Sequence, residues 1–94
     1  MKFVIIGWDG PDGQAKRPLH RPAHLERLKA LQDKGKLICA GPLSDQAGSL
    51  IIIEAESLTE AEAFSQGDPY VAEGIFTRVE VHPFTQVLPE EHSS

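Results

Sequence analysis

Two short segments of this 94-residue chain carry apolar side chains on both of their faces, which is hard to satisfy in so small a molecule. Side chains alternate between faces along a strand. In 3–8, Phe3 and Ile5 face one way while Val4, Ile6 and Trp8 face the other. In 49–55, Leu50 and Ile52 oppose Ile51, Ile53 and Ala55. A single layer of helices covers only one of those faces. The last apolar segment, 75–84, alternates instead, with Ile75, Val79 and Val81 set against Arg78, Glu80 and His82, as in a strand with one wet face. The pattern therefore predicts an apolar sheet surface left over after folding, and such a surface marks an interface. A homodimer that packs two sheets face to face is the economical solution. The alternative is that the segment after residue 84, with Val87 and Leu88, folds back over the surface together with Phe84.

The rest of the chain supplies helices and turns in a readable order. Asp9-Gly10-Pro11-Asp12-Gly13 is a turn cluster, followed by a loop to about Arg17. From His20 to Lys34 the pattern is helical, with Leu25, Leu28 and Leu31 three apart and Gly35 as the stop. Pro18 and Pro22 sit at its start, so the regular helix is predicted to begin near Arg21. Residues 36–40 read as a strand ended by Gly41-Pro42, and 44–48 as a turn. Ser57 and Glu60 form a capping box for a helix over 58–66, with Leu58, Ala61 and Phe64 on one side. Residues 68–74 are a compact connector with room for one helical turn. The order is β-α-β-β-α-β. Right-handed crossovers turn it into a ferredoxin-like α+β sandwich with a four-stranded antiparallel sheet. One domain is expected over 1–88, with a polar, frayed tail over 89–94.

Charge and composition exclude several roles. A formal net charge of −5 argues against nucleic acid, and the strands lack the basic-aromatic pattern of an RNA-binding sheet. The longest apolar run, Leu50 to Ile53, is far short of the ~20 residues of a membrane span, and no secretion signal opens the chain. A cytoplasmic protein is expected. Cys39 is the only cysteine, so it has no internal partner, and it reads as a small hydrophobe on a strand face.

Side chains suited to chemistry gather on one helical stripe. Arg17, Arg21, His24, Leu28 and Leu31 follow offsets of 4, 3, 4 and 3. A histidine that continues a core stripe is at least partly buried, and its N–H then needs a partner. The plainer reading is a core-edge histidine between two solvated arginines. His20 and His24 have the spacing of two zinc ligands, but no third ligand or catalytic glutamate accompanies them, so no metal is expected. Asp9 and Asp12 do not fit a calcium loop, and Gly7, Gly10 and Gly13 are not a dinucleotide fingerprint. Asp68 follows a helix C-terminus, a poor place for an anion, and stands before Pro69 as a turn-former. Ser44 lies in a loop without a nucleophile elbow.

Taken in order, Arg17-x3-Arg21-x2-His24-Leu25-x2-Leu28, Ala40-Gly41-Pro42, Asp68-Pro69-Tyr70-Val71-x2-Gly74 and Val81-x-Pro83-Phe84 resemble the YciI-like (YCII) domain. The resemblance runs from the first strand to Phe84. It implies a dimeric α/β barrel of ferredoxin-like subunits, related to muconolactone isomerase and to a dehydrochlorinase of chloroaromatic degradation. It also implies a His–Asp pair as the chemical centre. His24 takes the family histidine's place and Asp68 that of the aspartate, while Asp9 matches a recurrent acidic position and stays open as the partner of His24. The substrate-binding residues expected are Arg17, Arg21, Asp9, Trp8, Ser44 and Tyr70. An imidazole held by a carboxylate suits proton abstraction next to a carbonyl, with arginines to hold a substrate carboxylate or an enolate. The function expected is a cofactor-independent isomerase or lyase acting on a small anionic substrate, aromatic or lactone-like. The competing readings are a non-catalytic small-molecule-binding or accessory dimer and a cofactor-free monooxygenase of the same barrel type.

Overall fold

The computed structural model describes residues 1–91. Its elements are β1 (Lys2–Asp9), α1 (Gly13–Asp33), β2 (Leu37–Pro42), β3 (Gly48–Glu54), α2 (Leu58–Gln66), α3 (Pro69–Ala72) and β4 (Phe76–Phe84). The strands form one sheet in the order β2-β3-β1-β4, with every neighbouring pair antiparallel. This is the α+β ferredoxin-like arrangement, with α3 as the helical turn inside the connector. No helix among the described residues is long and apolar enough to cross a membrane. Of the tail expected over 89–94, residues 92–94 lie outside the described residues. Within the described part, Glu91 accepts a hydrogen bond from Lys2 Nζ at 2.6 Å.

The core forms where the odd-numbered residues of β1 and β3 meet the helices. Phe3, Ile5, Ile51 and Ile53 are buried there with Leu28 of α1 and Ala61 of α2. The capping box holds α2 in place, with Glu60 N–H donating to Ser57 Oγ at 3.1 Å. Gly7 has a specific task, because a Cβ at that position would overlap the Phe76 ring lying across β1. Phe76 then meets Tyr70 edge-on, with ring centroids 5.4 Å apart. A glycine in the sheet thereby sets the depth of an aromatic residue in α3.

Helix α1 starts at Gly13, seven residues before the predicted His20, and both prolines lie inside it. Proline lacks the N–H that would bond the carbonyl four residues earlier, here those of Gln14 and Pro18. Pro18 and Pro22 are four apart and both exposed, so water takes the freed carbonyls on the outer face. The inner face, which packs on the sheet, keeps its contacts. The longer helix is what brings Arg17 onto a rigid element.

The other face of the sheet is open in the single chain. Val4, Ile6, Trp8, Leu50 and Ile52 are each only half-buried, while their neighbours in sequence on the helix side are buried. The terminal segment does not cover them, because Val87 and Leu88 are 73% and 75% exposed. Cys39 pairs with Ile52 on the edge strand β2 and is exposed, not packed as a small hydrophobe. At the opposite edge Trp8 Nε1 donates to Glu80 Oε2 at 2.6 Å. That bond, reinforced by His82, holds the Glu80 carboxyl below the usual carboxylate range.

Candidate active site

The site is built on the helix side of the sheet, where α1 passes α3. Asp68 and Tyr70 come from the same short segment. Asp68 is the N-cap of α3, and its Oδ1 accepts from Tyr70 N–H at 2.9 Å. This corrects the view of Asp68 as an anion badly placed at the end of α2. Two residues, Gly67 and Asp68, separate α2 from α3, and the free N–H groups at the start of the new helix favour a carboxylate.

The capped carboxylate also takes the histidine. His24 Nδ1 lies 2.8 Å from Asp68 Oδ1 and 3.0 Å from Oδ2, and the two side chains are 8% and 6% exposed. A carboxylate offers only acceptors, so the imidazole donates from Nδ1, and the neutral ring keeps its lone pair at Nε2. The ring is further fixed by stacking on Tyr70, with centroids 3.9 Å apart and planes within 2°. Hydrogen bond and stack together hold both the position and the tautomer of the base. Of the two carboxylates left open by the sequence, Asp68 is the partner of His24.

Asp9 is occupied elsewhere. Arg17 Nε donates to its Oδ2 at 2.8 Å and Nη2 to its Oδ1 at 2.7 Å, a bidentate pair. Gln14 adds a third bond to Oδ2 at 2.9 Å, and Arg17 Nη2 also reaches Ser49 Oγ at 3.0 Å. The Asp9 hydrogen bond pushes the Arg17 pKa up, against the effect of burial. The guanidinium carbon sits 5.1 Å from the centre of the Tyr70 ring. Burial raises the Tyr70 phenol, while Arg17 and Arg21 pull it back. It is therefore a neutral hydroxyl at physiological pH.

A cavity of about 210 Å³ opens between α1 and the β2–β3 half of the sheet. Its polar lining is Arg17, Arg21, His24, Ser49 and Tyr70, with Lys29 and Gln32 further along α1, and Leu25, Leu28, Leu37 and Ala40 form its apolar part. Arg21 is exposed, and among the described residues no carboxylate lies within ion-pair distance of it. It is the cation on the stripe left available for a ligand.

The other site residues expected from sequence separate. Ser44 borders an adjoining, shallower recess with Arg21 and Tyr70, beyond Pro42. Trp8 does not belong with the rest, because its position in β1 places it on the open face of the sheet, where it bonds Glu80. His20 turns toward Glu73 at 3.8 Å, apart from the His24 pair. Among the described residues no three His, Cys, Asp or Glu side chains are grouped to hold a metal ion. Ser49 was missed. Its signal was present, since it shares a strand face with Ile51 and Ile53, and a polar group there requires a partner.

Comparison with known proteins bears on this geometry. A family model described as the YCII-related domain matches residues 1–85. Protein YciI of Escherichia coli O6:H1 is 42% identical, over 94% of this chain and all of its own length. A protein of Haemophilus influenzae is 37% identical over the same shares. Among solved structures, the 5-chloro-2-hydroxyhydroquinone dehydrochlorinase TftG of Burkholderia phenoliruptrix AC1100, in complex with 2,5-dihydroxybenzoquinone, superposes with a TM-score of 0.79. It is 32% identical to this chain, and the match covers 90% of this chain and 94% of that one.

Proposed function

This chain belongs to the YCII-related domain family, and from that premise we propose that it is a cofactor-independent isomerase or lyase acting on a small anionic ring compound. The observation that carries the reading is the His24–Asp68 pair, with its imidazole on the wall of the cavity. His24 Nε2 accepts a proton from a carbon next to a carbonyl, and the electron pair moves onto the carbonyl oxygen as an enolate. Asp68 balances the charge of the imidazolium that forms. Arg21 neutralises the enolate or a substrate carboxylate. The enolate then takes the proton back at another carbon, which is isomerisation, or expels a leaving group from the neighbouring carbon, which is elimination. The second outcome is the kind of reaction named for the dehydrochlorinase neighbour. None of these steps requires a cofactor.

Tyr70 orients the imidazole, and the Arg17–Asp9 pair fixes the wall beside it. The functional unit is a homodimer in which the half-buried face of Val4, Ile6, Trp8, Leu50 and Ile52 packs against its copy. Sedimentation as a monomer at micromolar concentration would remove the dimer from this account. The chemistry is tested by deuterium uptake from D2O into enolisable ring carboxylates and by chloride release from 5-chloro-2-hydroxyhydroquinone. Activity in the native chain that vanishes in His24→Ala supports the assignment. Activity that survives the substitution refutes it.

A further inference from the structure

The cavity is longer than the chemistry proposed for it needs. Arg21, His24 and Ser49 form a polar group toward the N-terminal half of α1. Past His24 the wall is mainly apolar, with Leu25 and Leu28 from the helix and Leu37 and Ala40 from β2, while the exposed Lys29 and Gln32 border its far part. Gln32 closes the lining eight residues beyond His24, which at 1.5 Å per residue is about 12 Å along the helix. A dry cavity of about 150 Å³ already accepts benzene. The 210 Å³ here therefore leaves space beyond a single ring seated at the imidazole.

We infer that the natural ligand is an acid with an apolar body, whose anionic head sits at Arg21 and His24 and whose hydrocarbon extension runs along α1 toward Gln32. The inference rests on the reading of the cavity as a substrate site and adds the class of substrate. Charge and burial both support the division. Arg21 is the available cation beside His24, whereas Arg17 is neutralised by Asp9 and the exposed Lys29 stands two turns further along α1. Leu25 and Leu37 are half-buried apolar surfaces that the extension would take out of water. Ala40, on edge strand β2 between Pro42 at the polar end and Leu37 at the far one, has only a methyl group and so leaves the cavity open between them. Each methylene fully buried there strengthens binding about fourfold.

The test compares benzoate with 4-butylbenzoate in NMR titrations that follow the Leu28 and Leu37 methyl signals. The native chain is expected to bind 4-butylbenzoate at least tenfold more tightly than benzoate. Ala40→Phe narrows the cavity beyond the polar end and is expected to bring the two affinities within about twofold of each other. Ala40→Leu serves if the phenylalanine chain does not fold. Arg21→Gln is expected to weaken both ligands by a similar factor. Equal affinities in the native chain overturn the apolar extension and leave the proposed proton chemistry standing. A preference that survives Ala40→Phe, or that moves the methyls of Ile6 and Ile52 on the open sheet face, also overturns it. Failure of both acids to bind refutes the anion site at Arg21 and with it the proposed function.

Discussion

Two buried carboxylates on the helix side of the sheet each hold a basic side chain, and they differ in what the pairing leaves over. Asp9 binds Arg17 through both oxygens and shares Gln14, while Arg17 spends a further donor on Ser49. A guanidinium stays charged at any physiological pH, so this pair cannot exchange a proton and acts as an anchor between β1 and α1. Asp68 binds His24 through one ring nitrogen and leaves the other with a lone pair. The same type of acid therefore yields a fixed wall in one place and a positioned proton acceptor in the other, according to the base it meets.

The comparison breaks most visibly at His24. His24→Ala should lower kcat/KM by roughly 10²–10⁴-fold, the usual contribution of a general base, in steady-state assays on the identified substrate. Arg17→Met should act on stability instead. It strands the Asp9 carboxylate, whose side chain is 5% exposed, and the loss of one partner from a buried pair costs about 3–5 kcal/mol. Urea unfolding measures that loss. Asp9→Asn combined with Arg17→Met should recover a large part of it, since the unpaired charge is then absent.

Asp68→Asn separates the two roles of Asp68. Asparagine caps a helix as well as aspartate does, so α3 should persist and the midpoint of unfolding should move little. Turnover should nevertheless fall, by up to about 10⁴-fold, because the amide no longer stabilises the imidazolium or enforces the tautomer. A comparable loss of both stability and activity would show that Asp68 is only a cap.

The smallest effect concerns Tyr70, the only tyrosine. Burial raises its phenol above the ordinary 10.0, with Arg17 the first opposing influence. A raised value means that the folded chain holds this proton more tightly than the unfolded chain. The stability linked to it is complete below pH 10 and is lost as the pH rises from there through the folded-state value. Phenolate absorbance should therefore appear above pH 10 in the folded protein. It should appear higher still when Arg17 and Asp9 are both replaced, because the arginine's influence exceeds the aspartate's.

The strands and α2 were legible because they rest on local rules, namely period-two alternation and a capping box. The start of α1 was not legible. The proline rules describe a helix in isolation, and whether a lost hydrogen bond falls on the wet face depends on which side of the helix packs. Asp68 was misjudged electrostatically for a related reason, since its favourable partner is a helix of four residues, too short to leave a periodic signature. The stripe of Arg17, Arg21 and His24 was visible, but its division of labour was not. Arg17 is neutralised by a residue of β1, and only the packing of strand against helix brings them together. Trp8 is expected in the substrate-binding set but lies on the opposite face of β1 from Asp9, because adjacent strand residues point to opposite faces.

The central claim is that Asp68 fixes the proton of neutral His24 on Nδ1 and leaves Nε2 to accept one. A long-range 1H–15N spectrum of protein labelled in histidine, with His24 assigned by its loss in His24→Gln, reads this directly. The account predicts that the neutral ring carries its proton on Nδ1 and none on Nε2, with the pattern disturbed in Asp68→Asn. A His24 ring that carries its proton on Nε2, unchanged by Asp68→Asn, would contradict it.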